Sequence, residues 1–200
     1  MIEIRSGMRT QDLPVFIRMV DKDTYWGFNN GLATLVTTLL QMNMNGYTLV
    51  LPDMIGGNGY NDKPSKELFV RWLQANVFMP TLQYSFAVEI CRRYTQLHAE
   101  FADDIAAAME ASVRDGAPVN PPVWWLDPED EVALGIDDEF LLGERILAAP
   151  VLEEGAVSRD IYLPRGEWRD GQSGEIISGP VWLRDYAAPL DVLPYFILEN

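Results

Sequence analysis

Residues 18–27 read RMVDKDTYWG, so Asp21 and Asp23 flank Lys22, and Trp26 stands five residues after Asp21. A short apolar run, Val15-Phe16-Ile17 and then Met19-Val20, leads into this stretch. Asp53 closes a second apolar run (YTLVLPDM, 47–54), and Asp127 closes a third (NPPVWWLDPED, 120–130). Carboxylates that recur where apolar runs stop suit two chemistries. One is oxygen coordination of a hard cation. The other is glycoside hydrolysis, in which one carboxyl protonates the leaving oxygen and a second attacks or stabilises the anomeric carbon. Loop chemistry alone also places aspartates in turns and caps, and the three positions taken singly do not exclude it. Aromatics favour the sugar reading: Tyr25, Trp26, Tyr60, Trp72, Trp124 and Trp125 lie close to these ends, and indole faces stack on the C–H faces of sugar rings. No His/Cys cluster or D-x-D-x-D-G spacing supports a metal, and the single histidine, His98, falls mid-helix, where a structural role is expected.

Elements with a definite rhythm must carry these residues. Residues 15–20 read as a buried strand. Leu32, Leu35, Val36, Leu39 and Leu40 then recur at helical spacing over 31–44, with Gly46 beyond the end. A buried strand is expected at 47–54, and Pro64-Ser65 with Glu67 announces a helix running to Pro80. A single helix is expected over about 88–114, stopping at Asp115-Gly116, followed by a strand in 120–130 with Pro121 and Pro122 at its entry. Strand, helix, strand, helix, strand with continuous apolar strands points to an α/β region with a parallel sheet. From about residue 139, FLLGERILAAPVL, RDIYLPRGEWRDG, GEIISGPVWLRDY and LPYFIL are short strands parted by Gly, Pro and Asp, an antiparallel all-β unit. The boundary is expected between 134 and 140, giving units 1–138 and 139–200. In a parallel sheet functional side chains gather at the carboxyl ends of strands, so Asp21, Asp23, Asp53 and Asp127 are expected on one rim.

Composition narrows the classes. Among 200 residues 48% are hydrophobic, enough for a full core. The net charge is −15, and residues 99–160 alone hold 16 acids against 3 bases, which argues against nucleic acid as a partner. The one cysteine, Cys91, reads as a packed thiol rather than a nucleophile. No apolar run reaches the ~18 residues of a membrane span, and MIEIRSGMRT is not a signal peptide.

Taken in order, RMVDKDTYWG, LPDMIGGNGY, KELFVRWLQANVFMP, PPVWWLDPED and DEFLLGERILAAPVLEEGAVSRDIYLPRGEWRDG resemble the C-terminal half of a glycoside hydrolase family 31 enzyme over nearly the whole chain. The resemblance implies the last strands of a TIM (β/α)8 barrel followed by an antiparallel β-sandwich. It carries the general acid/base onto Asp21, five residues before the motif tryptophan Trp26, which would wall the pocket. It carries a sugar-contacting arginine onto Arg5 in IEIRSG and a ligand for substrate hydroxyls onto Asp53. Arg71 and Trp72 match an Arg-Trp pair read as structural. Where many members have Arg and His after the helix proline, this chain has Gln83 and Ser85, a change that bears on specificity.

Several expectations follow from this resemblance. Asp21 needs a pKa raised toward neutrality by apolar neighbours and a nearby anionic nucleophile. Lys22 should therefore turn outward to solvent. Asp23 is the alternative acid, with turn capping its expected role. The nucleophile of a retaining mechanism, ~5–5.5 Å from the acid, is expected upstream of residue 1, the chain being the C-terminal part of a longer polypeptide that supplies the rest of the barrel. The substrate is expected to be a terminal α-linked sugar, with α-galactosides suggested by one subgroup of the family, acting without cofactor or metal in a secretory-pathway or extracellular setting. The competing reading is a sugar-binding or structural relic of the same scaffold without turnover.

Overall fold

A computed structural model describes residues 2–60, 63–84 and 91–199. Strands β1 (Glu3–Ile4), β2 (Phe16–Arg18) and β3 (Val50–Leu51) form a parallel three-stranded sheet in that order. Ile4 pairs with Ile17 and Ile17 with Val50, so the three carboxyl ends lie level along one edge. Helix α1 (Ala33–Met44) makes the crossover from β2 to β3 that parallel pairing demands. It buries Leu35, Val36, Leu39 and Leu40, the face read from its spacing. A second parallel pair, β4 (Met54–Ile55) and β5 (Gln83–Tyr84), is joined through α2 (Lys66–Asn76). Ser65 caps α2 as expected, its hydroxyl accepting from the Leu68 N–H at 3.1 Å.

α2 is buried on every side from Leu68 to Asn76. Such a helix needs internal partners for its polar groups, and Arg71 has them. Its guanidinium donates to Gln74 and to the backbone carbonyls of Ala156, Ala188, Pro189 and Val192, tying the helix to the second half of the chain. Trp72 is wholly buried beside it. Both residues have the structural place expected of them.

The long helix expected over 88–114 is two: α3 (Cys91–Glu100) and α4 (Ala102–Asp115), parted at Phe101. Phe101 has left helical geometry and packs edge-on against Phe78 and Tyr195, a tertiary contact that breaks the run. The start of the expected helix lies outside the described residues. α4 ends one residue before Gly116, as read. Residues 120–130 are not a strand. Val123–Trp125 form a 3₁₀ turn, and among the described residues the segment joins no sheet: it threads between two cores, with the Pro121 carbonyl accepting from the Leu141 N–H. Apolar content with prolines was legible there; extended pairing was not.

From Phe140 the chain is antiparallel throughout. β6 (Phe140–Leu142), β7 (Ile146–Ala148), β8 (Ser158–Asp170), β9 (Ile176–Ala187) and β10 (Tyr195–Leu198) form one sheet in the order β6-β7-β10-β8-β9. Trp168, Leu163, Ile161 and Phe196 make the centre of its core, and Val123 of the 3₁₀ turn joins them. The opposite faces of β6, β7 and β10 pack on the helical core through Phe140, Leu142, Ile146 and Ile197.

Candidate active site

The carboxyl ends of β1, β2 and β3 bring three of the four residues singled out as a site into one arrangement. Arg5 follows β1, and its Nη1 lies 2.5 Å from Asp21 Oδ1 while its Nη2 lies 3.6 Å from Asp53 Oδ1. The Arg5 Nη1 also donates to the Met19 carbonyl at 3.2 Å, which holds the guanidinium over the end of β2. Asp53 is fully buried and accepts on Oδ1 from Arg18 Nε at 2.7 Å and Nη2 at 2.6 Å, and on Oδ2 from Asn58 at 3.1 Å. Its backbone has a φ of 69°, a conformation costly for most side chains and tolerated by aspartate. Arg5, Val20 and Asp21 line an open concavity of about 450 Å³.

Two loops interlock to hold this edge. Asn30 donates to the Asp21 carbonyl at 2.9 Å and to the Asp23 carboxylate at 3.2 Å, and its carbonyl accepts from the Asp23 N–H. Asp23 thus has the turn-fixing role expected of it. From the other side, Asn58 donates from backbone and side chain to the Lys22 carbonyl, and the Gly59 N–H donates to Thr24. Gly57, at φ 78°, lies so close that a Cβ there would sit 2.9 Å from the backbone of Asp23 and Thr24. Only glycine permits that approach.

Lys22 does not point to solvent. It is buried, its Nζ donating to Thr34 Oγ1 at 2.8 Å and Thr38 Oγ1 at 3.1 Å on α1. Burial pushes the lysine down from its usual value, with the Asp53 charge opposing. Asp21 faces the rim while Lys22 faces the helix, where two threonine hydroxyls one turn apart receive it.

Asp127 does not join the rim either. It lies 3.8 Å from Arg165 of β8, because the 3₁₀ turn sends the chain across to the antiparallel sheet. Trp124 and Trp125 pack on that second core. Trp26 is half-buried against the helical core. His98 hydrogen-bonds the Val77 carbonyl at 2.7 Å, and Cys91 is a half-buried free thiol. Gln83 sits on β5 with its Oε1 buried and unpartnered among the described residues, and Ser85 lies outside them.

Two neighbours of the candidate site were missed by sequence reasoning. Arg18 is the cation that holds Asp53, and its signal was a lone charge inside the apolar run VFIRMV. Tyr60, read only as an aromatic, donates its hydroxyl to Asp21 Oδ2. The consequence runs against expectation, since Asp21 is held below the usual carboxylate range, not above it. The Tyr60 hydrogen bond is the main cause; burial opposes it, and the Arg5 hydrogen bond and the Arg5 and Arg18 charges add to it. Among the described residues no cluster of three His, Cys, Asp or Glu could hold a metal, and no helix is long and apolar enough to cross a membrane.

Comparison with known proteins gives this arrangement a family. Residues 21–114 match the glycosyl hydrolases family 31 TIM-barrel domain, and residues 116–200 match the glycosyl hydrolase family 31 C-terminal domain. The chain belongs to glycosyl hydrolase family 31. This family 31 chain is 38% identical to the myogenesis-regulating glycosidase of Mus musculus over 97% of its own length and 30% of that protein's. It is 35% identical to the SITS-binding protein of Tetronarce californica, again over 98% of the chain and 30% of the relative. The chain therefore spans about a third of the length of these curated relatives. Its backbone matches a family 31 α-xylosidase from a soil metagenome complexed with xylose, with a TM-score of 0.81 and 28% identity over 93% of this chain and 32% of that one. A family 31 sulfoquinovosidase from E. rectale matches with a TM-score of 0.83 and 26% identity over 92% of this chain and 30% of that one. The parallel strands and helices are thus part of a TIM barrel, and the antiparallel sheet belongs to the C-terminal domain that follows it.

Proposed function

We propose that this chain forms part of a retaining α-glycosidase, with Asp21 as general acid/base, Arg5 and Asp53 as binders of the terminal sugar and Trp26 as a wall of its pocket. The observation that carries this reading is the continuous contact from Asp21 through Arg5 to Asp53 at the carboxyl edge of one parallel sheet. Asp21 stands 37% exposed at the open concavity, where a glycosidic oxygen can reach it, whereas Asp53 is sealed beneath. Asp53 then anchors both guanidinium groups, and the sugar meets it where Arg5 yields.

In the first half-reaction Asp21 gives its proton to the departing oxygen as the anomeric carbon bonds to a second carboxylate. In the second it removes a proton from the attacking water, and the covalent bond to that carboxylate breaks. No such partner carboxylate stands opposite Asp21 among the described residues, and we propose that it comes from a preceding barrel strand. An anion arriving there, together with displacement of Arg5 by sugar hydroxyls, raises Asp21 toward the range an acid needs. We place the division between barrel and sandwich at 138/139, in support of which, among the described residues, the strand pairings before it are parallel and those after it antiparallel. For the substrate we infer a terminal α-linked sugar, with α-galactosides the first to test, as the family resemblance suggests.

The test is the Asp21→Asn variant of the full-length polypeptide, assayed on aryl α-glycosides of graded leaving-group acidity. Turnover should collapse on poor leaving groups and survive on activated ones; equal loss on both moves the acid elsewhere. A second reading, a sugar-binding scaffold without turnover, has one observation in its favour: both Asp21 oxygens are engaged and the group is held charged. Binding of a sugar by a protein that hydrolyses none of the panel would support it.

A further inference from the structure

We propose that Tyr60 is a positioning residue for the general acid/base, its hydroxyl holding Asp21 Oδ2 so that the carboxyl stays aimed into the concavity lined by Arg5, Val20 and Asp21. This rests on the role proposed for Asp21 and adds the group that governs it. The hydroxyl belongs to a side chain that is 65% exposed and lies outside both hydrophobic cores among the described residues, so burial does not explain where it points. The loop does. Asp53 to Gly59 is pinned at four points to the segment that carries Asp21: the Asn58 backbone and side chain on the Lys22 carbonyl, the Gly59 N–H on Thr24, and the close approach of Gly57 to Asp23. Tyr60 follows directly on that pinned stretch and delivers its O–H to the one Asp21 oxygen that Arg5 leaves open.

The groups facing Asp21 are then complete among the described residues. Arg5 comes from the end of β1, Arg18 from β2 and Tyr60 from the loop after β4, while Asp53 at the end of β3 acts on it through Arg5. Of these only Tyr60 combines a neutral donor with a direct contact. A phenol can follow the carboxyl through both protonation states. It donates to the charged form, and it remains a neighbour the neutral form tolerates, whereas a guanidinium opposes protonation by its charge.

The hydrogen bond favours the charged carboxylate, which defines the sign of the test. The Tyr60→Phe variant of the full-length polypeptide should bind an alkyl α-glycoside with an unchanged KM but a reduced kcat. The alkaline limb of its kcat/KM profile should move to higher pH, because Asp21 keeps its proton longer. On an activated aryl α-glycoside, which needs no proton, the limb should not move. An unchanged melting temperature, expected for so exposed a side chain, separates this from misfolding. An alkaline limb that stays in place on the alkyl substrate overturns the proposal. If instead Asp21→Asn is equally slow on both substrate classes, the role of Asp21 itself fails, and Tyr60 has nothing to position.

Discussion

Asp53 shows how much one side chain can carry at the edge of a sheet. Among the described residues its carboxylate is the one anion that Arg18 meets at close range in a buried setting, Glu3 lying 3.5 Å away at the surface. Removing it would strand a largely buried guanidinium, and breaking such a pair costs about 3 kcal/mol or more. Asp53→Ala should therefore lower the urea midpoint by the equivalent of roughly that amount. Asp53→Asn, which keeps an acceptor and tolerates the left-handed backbone, should lose clearly less. Equal losses would mean that the charge, which both variants remove, sets the effect, and that neither the retained acceptor nor the left-handed backbone adds to it. Lys22 illustrates the opposite economy: a cation adjacent to the proposed acid is turned away from it and absorbed by two threonines of α1.

At the level of elements, Glu139 at the entry to β6 carries a definite pH signature. It is fully buried, and burial pushes its carboxyl up to about 8 against the pull of Arg159 and the Tyr162 N–H. The ion-pair geometry, 3.3 Å to Arg159, favours the charged form, but that guanidinium lies closer to Asp138 at 2.9 Å, and Glu139 Oε2 has no partner among the described residues, so desolvation prevails. The folded-state value lies above the ordinary 4.5, so the folded chain binds the extra proton between about 4.5 and 8. Stability from this group is complete below that window and is lost as pH rises through it. Melting temperature should fall from pH 5 to pH 8 in the parent. The Glu139→Gln variant, whose amide oxygen still accepts from Tyr162, should show a flatter profile and melt higher at pH 8. Parallel profiles would place the proton elsewhere.

For the molecule as a whole, the parallel sheet is the exposed part. β1 is an edge strand, and Ile2, Met8, Leu13 and Val20 present large apolar side chains around it. Unpaired strand edges beside apolar side chains invite pairing between copies. The 200-residue chain expressed by itself should therefore self-associate in size-exclusion chromatography with light scattering, despite its net charge of −15. The double variant Met8→Lys, Leu13→Lys should shift it toward the monomer. A monodisperse monomer in the unaltered chain would show that this face needs no cover. The antiparallel half exposes Val157 and Ile176 as its large apolar side chains among the described residues, while its core is closed by Trp168 and Phe196 and it is tied to the barrel part by Arg71.

Periodicity and punctuation by themselves determined most of the elements: α1 and its buried face, the Ser65 cap, the stop at Gly116, and the four antiparallel segments after residue 139. These are local properties, set by side-chain spacing and by residues that begin or end helices. The family resemblance also brought forward Arg5, Asp21 and Asp53 before any contact between them was visible. Other features depended on partners distant in the chain. Phe101 breaks a helix because Phe78 and Tyr195 receive its ring, and residues 120–130 stay out of a sheet because they bridge two cores. Lys22 turns inward because two threonines lie on the helix behind it, and Asp21 is held charged because Tyr60 and Arg5 converge on it from separate loops. The sign of a pKa shift, like the direction of a side chain at a rim, is a sum over neighbours in space, and only the tertiary structure brings those neighbours together.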